Sequence, residues 1–143
     1  MTYTNDPQLY YDYDIDTSNT VDGLPIYYAV DQSDLTFTGP VGYLGLIRCD
    51  NISVSDVEGM SAKADLLIVE GIHTTVNDAS LHDVDIRFSN GIDLLNNTIA
   101  GGSYGLWLFY SENVYCSENR FGKGTNCLSS LYQSRNNVFV MIS

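Results

Sequence analysis

The stretch GLWLFYSENVYCSENRF, Gly105 to Phe121, decides the fold. Apolar residues stand two apart, Leu106 with Leu108 and Val114 with Cys116, with polar or large aromatic residues between them. That alternation marks short strands whose alternate side chains face one core, and Asn113, just before Val114, marks a tight bend entering the second strand. No convincing helical stretch with i, i+3, i+4 spacing is present in the chain.

The same pattern recurs along the chain. Taking Val114 as an anchor, Ile52, Ile72, Ile92, Val114 and Val138 lie 20, 20, 22 and 24 residues apart. Each is preceded by Asn or Gly, namely Asn51, Gly71, Gly91, Asn113 and Asn137, the residue types that best tolerate left-handed backbone. Two residues after the anchors stand Val54, Thr74, Leu94, Cys116 and Val140; six before them Leu46, Leu66, Ile86, Leu108 and Tyr132. Eight before them stand Leu44, Ala64, Val84, Leu106 and Ser130, and seven after them Gly59, Ala79, Ile99 and Phe121. Of these 24 positions 21 are apolar, against 44% for the chain, so the repeat is a structural one. A period near 20 with three period-2 patches predicts a right-handed parallel β-helix of about five to six coils of 20–24 residues, because no single coil can bury its own apolar face. Leucine-rich repeats need a leucine and asparagine pattern that is absent. Five positions after the anchors, Asn77, Asn97 and Asn119 predict a ladder of amides stacked about 4.8 Å apart along the axis.

Residues 41–143 carry the coils, whereas residues 1–40 read as an N-terminal cap with one irregular coil at Tyr27, Ala29, Leu35 and Phe37. This segment is rich in tyrosine and aspartate, including Asp12, Asp14 and Asp16, which alternate but lack the glycine and distal glutamate of an EF-hand loop. At the other end the apolar run from Val138 to Ile142 stops within a coil, which predicts truncation or association through the ends. The length of 143 residues fits one domain.

Eighteen acidic residues against six Lys plus Arg give a formal net charge of -12, a field that repels a phosphate backbone and argues against nucleic acid as a partner. Cations, neutral glycans and basic proteins remain. No run of about 18 apolar residues predicts membrane insertion, and the first residues, MTYTNDPQLYYDYD, carry no export-signal pattern. The three cysteines, Cys49, Cys116 and Cys127, form no disulfide framework.

The coil from Gly105 to Phe121 resembles the repeat unit of NosD-like right-handed β-helix proteins, also described as carbohydrate-binding and sugar-hydrolysis (CASH) domains. DIDTSNTVDGLPIYY, Asp14 to Tyr28, followed by GYLGLIRCDNISV, Gly42 to Val54, resembles a segment of β-helix surface proteins from archaea, methanogens especially. The resemblance covers roughly residues 12 to 140 and implies a cell-surface or extracellular protein with a structural, self-assembling or glycan-binding role.

The 20-residue register places Asp65, Asp85, Arg87, Trp107 and Phe109 on one solvent-facing sheet, with Asp93 and Tyr115 on the next. Asp65 and Asp85, one coil apart at about 5 Å, suit a shared Ca²⁺ or the acid pair of a retaining glycosidase. Arg87 suits a uronate carboxylate, and Trp107, Phe109 and Tyr115 offer flat faces to sugar rings, Asp93 a polar partner. Three functions follow: a non-enzymatic module that assembles or binds glycan; a polysaccharide lyase or hydrolase acting through Asp65, Asp85 and Arg87; and Ca or Cu handling. For copper, His73, His82, Cys49, Cys116, Cys127, Met60 and Met141 supply ligand types without gathering in sequence. As ordinary structure, the same residues are solvated surface charges, core and bend positions. Asn51-Ile-Ser53 and Asn96-Asn-Thr98 are glycosylation acceptors at predicted bends.

Overall fold

The computed structural model describes residues 11–58, 64–100, 105–122 and 131–140. Its strands are β1 (Thr20–Val21), β2 (Leu24–Val30), β3 (Thr36–Pro40), β4 (Tyr43–Ile47), β5 (Asp50–Glu58), β6 (Ala64–Val69), β7 (Ile72–Asn77) and β8 (Ser80–Arg87). There follow β9 (Asn90–Leu95), β10 (Thr98–Ile99), β11 (Leu106–Phe109), β12 (Glu112–Ser117), β13 (Arg120–Phe121), β14 (Leu131–Tyr132) and β15 (Val138–Val140). All ladders between these strands are parallel except the hairpin of β1 with β2. The chain is an all-β solenoid of about four turns.

Each turn contributes one strand to a first sheet built on β2, β4, β6, β8, β11 and β14, and one to a second sheet ordered β15, β12, β9, β7, β5, β3. Leu44, Leu46, Leu66, Ile68, Val84, Ile86, Leu106 and Leu108 point inward from the first sheet. Ile52, Val54, Val76, Ile92, Leu94, Val114 and Cys116 meet them from the second. Tyr27, Leu35 and Phe37 border this core at its N-terminal end, Phe121 and Phe139 at its C-terminal end.

The bends follow one rule. A residue with positive φ ends each first-sheet strand (Asp31, Arg48, Glu70, Phe88, Tyr110, Gln133). Three residues later a second one (Asp34, Asn51, His73, Gly91, Asn113, Asn136) turns the chain into the second sheet. Left-handed backbone costs a non-glycine residue roughly 1–2 kcal/mol. Here it is offset by the stack, because the N–H of Asp31, Arg48, Glu70, Phe88 and Tyr110 each donates to a carbonyl of the next turn at 2.8–2.9 Å.

This rule corrects the sequence register at two anchors. Thr74, not Ile72, lies level with Ile52 and Ile92; Thr74 is 0% exposed and Ile72 40%. At the C-terminal end Val138 pairs with Tyr115 and is 49% exposed, while its neighbour Asn137 faces Val114. Glycine and isoleucine at 71 and 72 imitate the bend-then-core signal, yet the left-handed residue is His73. A Cβ on Gly71 would come 2.5 Å from Ile68 Cγ2, so its lack of a side chain serves packing inside the turn.

In the N-terminal segment residues 24–40 form a rung, β2 pairing with β4 and β3 with β5, the latter with a register shift between Thr38 and Gly39. Ahead of it, residues 11–16 lie as a strap against the outer face of the first sheet: the Tyr28 hydroxyl donates to the Tyr11 carbonyl at 2.7 Å, and Arg48 pairs with Asp12 at 2.7 Å. Gly59, Met60, Cys127, Ser130 and Met141 lie outside the described residues.

Candidate functional site

On the outer face of the first sheet the columns run Gly45, Leu67, Asp85, Trp107 and, beside them, Ile47, Val69, Arg87, Phe109, Tyr132. Asp85, Arg87, Trp107 and Phe109 therefore do share a face, as strand alternation requires. Asp65 does not stand beside Asp85. The neighbour of Asp85 on β6 is Leu67, and a register shift between Ala64 and Leu66 sets the two residues His82 and Asp83 of β8 opposite the single residue Asp65. The paired carboxylates expected from a uniform 20-residue repeat are not formed. Asp85 is instead gripped by Arg87 of its own strand through two hydrogen bonds of 2.8 Å, and that contact raises the pKa of the guanidinium. Arg87 also donates to the Tyr11 hydroxyl of the strap at 3.2 Å. Three of the five guanidinium N–H groups of Arg87 are thereby engaged within the chain.

Asp65 instead meets His82 and Asp83. His82 Nδ1 lies 3.2 Å from both Asp65 Oδ1 and Asp83 Oδ2, and donor atoms of the three side chains lie within 4.8 Å of one another. Among the described residues this is the one trio of side chains spaced for a cation. It offers three donors where Ca²⁺ takes six to eight oxygens, and all three side chains are close to half exposed. His73 is elsewhere, on the second sheet, with Nδ1 3.0 Å from Asp50 Oδ1. Cys49 and Cys116 are buried in separate turns, and burial pushes both thiols up in pKa, Cys116 to about 12. No copper-like gathering of sulfur and imidazole exists among the described residues.

The glycan-binding candidates divide between two faces. Arg87, Trp107 and Phe109 belong to the first sheet, whereas Asp93 and Tyr115 pair with each other on the second. What the first sheet holds in addition is an aromatic strip. Phe109 stacks on Tyr132 with centroids 5.2 Å apart, and Phe88 stacks on Tyr110 at 5.5 Å. Phe109 and Tyr110 meet edge to face at 4.7 Å, and the Arg87 guanidinium lies 5.8 Å from the Phe109 ring. Two columns converge here: Arg87–Phe109–Tyr132 at strand ends and Phe88–Tyr110 at the left-handed bend immediately after. One face of Phe109 is spent on Tyr132, which leaves the outward parts of Tyr110 and the half-exposed Tyr132 for a ligand. The sequence register held Tyr132 as an inward position and gave Phe88 and Tyr110 no role.

Inside the turns, two polar columns run along the axis. Asn97 and Asn119 stack, Asn97 Nδ2 donating to Asn119 Oδ1 at 3.0 Å and Asn97 Oδ1 accepting the Ala79 N–H at 3.0 Å. Asn77 is level with Leu95 and bonds Asp78 instead, so Ala79 holds the place expected for it, two residues on. The second column, Ser89, Ser111 and Ser134, escapes the apolar search because serine is polar. The N–H groups of Gly71, Ser89 and Ser111 donate to the hydroxyls of Ser89, Ser111 and Ser134 at 3.0, 3.2 and 3.0 Å. Asn51 and Asn96, the sequon residues, are exposed at left-handed bends, with amides bonded to Asp34 and Asp78.

Compared with protein-family models, curated proteins and solved structures, the chain gives no significant match.

Proposed function

We propose that the chain is a right-handed parallel β-helix of five to six coils that serves, without catalysis, as a glycan-binding module at the cell surface or outside the cell. Handedness rests on the general rule that about 98% of crossovers between parallel strands of one sheet are right-handed. The coil number counts the end rungs, β2 with β3 and β14 with β15, which pair as inner rungs do.

The observation that carries the glycan reading is the strip of Phe88, Phe109, Tyr110 and Tyr132, four rings in mutual contact on an outer face. Aromatic rings hold sugars through their apolar faces, and the tyrosine hydroxyls add hydrogen bonds. A net charge of -12 with Arg87 committed to Asp85 favours neutral over acidic glycan. The exposed sequon residues Asn51 and Asn96 suit an exported protein.

Affinity electrophoresis through neutral polysaccharides tests the reading. Retardation that Tyr132→Ala and Tyr110→Ala each weaken about tenfold supports it, tenfold corresponding to about 1.4 kcal/mol. Uniform migration of the wild type through a broad polysaccharide panel refutes it, as does retardation indifferent to both substitutions.

A further inference from the structure

We infer that copies of this chain stack head to tail, the basic C-terminal end of one solenoid seating on the acidic N-terminal end of the next, with Arg135 of one copy over Asp34 of its neighbour. Charge is segregated along the sequence. Residues 1–47 contain seven aspartates (Asp6, Asp12, Asp14, Asp16, Asp22, Asp31, Asp34) and no Lys or Arg. Residues 119–143 contain Arg120, Lys123 and Arg135 and no Asp or Glu. Among the described residues, the bend of the first rung carries Asp31 and Asp34 and the bend of the last rung carries Arg135, so the two ends differ in charge.

The ends also match in backbone and apolar character. β3 and β15 are the terminal strands of the second sheet, and among the described residues neither has a partner on its outer edge. Because the ladders of this sheet are parallel, β15 of one copy meets β3 of the next in the sense the sheet already uses. An unpaired edge of this kind is a template for another strand. Phe37 and Phe139 stand at opposite ends of one inward column, Phe37, Val54, Val76, Leu94, Cys116, Phe139, so stacking continues the core through the joint. The N-terminal end receives it in a cleft of about 700 Å³ lined by Tyr27, Leu35 and Phe37, with Asp12, Asp14 and Asp16 along it.

Register names the ion pair. Arg135 lies level with Glu112, to which its exposed guanidinium is ion-paired at 2.8 Å, and the column descends through Asn90, Ile72 and Asp50 to Ser33. One further turn, about 4.8 Å on, sets Arg135 of one copy over Ser33 of the next, between Asp31 and Asp34. Asp31 is held by Arg48 at 2.7 and 3.0 Å, whereas Asp34 has, among the described residues, only the neutral Asn51 amide at 2.6 Å and no cation, which makes it the receiving carboxylate. Two acidic ends repel, as do two basic ones, so the contact is heterologous and does not close on itself.

Sedimentation velocity across protein concentration, at low and high salt, tests this. The wild type forms species above the monomer at low salt that dissociate as salt screens the ends. Arg135→Glu and Asp34→Lys alone each give folded monomers, verified by unchanged far-ultraviolet dichroism. Assembly returns when both substitutions share one chain, and when the two single variants are mixed. A wild type that stays monomeric at low salt overturns the inference. So does assembly that survives both single substitutions, or a combined variant that remains monomeric.

Discussion

Asn97→Ala is the substitution that most directly probes how the turns are held in register. Asn97 is 1% exposed; its Oδ1 accepts the Ala79 N–H at 3.0 Å, and its Nδ2 donates to the Val76 carbonyl at 2.9 Å and to Asn119 Oδ1 at 3.0 Å. Three bonds at about 1 kcal/mol net each give about 3 kcal/mol, and stranding the Ala79 N–H in the interior adds about 1–3 kcal/mol. The expected loss is thus about 4–6 kcal/mol, a large share of the roughly 5–15 kcal/mol typical of a domain. Asn77→Ala is the control. The Asn77 amide reaches only the exposed Asp78, so its removal stays within about 0.5 kcal/mol. Urea denaturation reads the difference as a fall in midpoint for Asn97→Ala alone. Because stacked repeats open locally, hydrogen exchange at the Ala79 amide gives a second reading, faster in Asn97→Ala and unchanged in Asn77→Ala. Equal losses for the two variants, or unchanged Ala79 protection in Asn97→Ala, would refute the register described above.

High pH should unfold the chain progressively. Burial raises Cys116 from 9.0 to about 12 and Tyr28 from 10.0 to about 12, and it raises Tyr43 further. The unfolded chain loses these protons first, so stability is intact below about pH 9 and falls as pH rises towards about 12, visible as a declining melting temperature. A flat profile over that window would contradict the burial of these groups. Cys49 and Cys116 should resist alkylation in the folded protein and react once urea unfolds it; mass spectrometry of the labelled peptides distinguishes the two states. Gly71→Ala should cost about 1–3 kcal/mol through overpacking against Ile68, measured as a lower urea midpoint.

The parts of this fold that showed in the sequence are those carried by apolar alternation. Leu106 with Leu108 and Val114 with Cys116 are inward pairs, and Asn51, Gly91 and Asn113 adopt the left-handed bends assigned to them. Register failed where chemistry misled. His73 fills a left-handed position that a search for Asn or Gly passes over, although histidine tolerates positive φ better than most residues, and Thr74 fills a core position by bonding the Ile72 carbonyl. True spacings of 22 and 18 residues from Ile52 to Thr74 to Ile92 sum to the same 40 as two periods of 20, so the outer anchors gave no warning. The misplacement of Asp65 against Asp85 and of Asn77 in the amide ladder both descend from that one slip. The aromatic strip was hidden for another reason. Its members come from strand ends and from bends in different turns, and only stacking makes them neighbours.

The axial direction of the ladder bonds has a mechanical consequence. A force applied along the solenoid through its terminal strand loads only the bonds of one rung, since those bonds lie parallel to the pull. Rungs then detach one after another, like teeth of a zipper. Each releases about the 22 residues that separate Ile92 from Val114, or roughly 75 Å of extended chain. Under tension the protein should therefore lengthen in a staircase of small, similar increments at modest force, behaving as an extensible shock absorber.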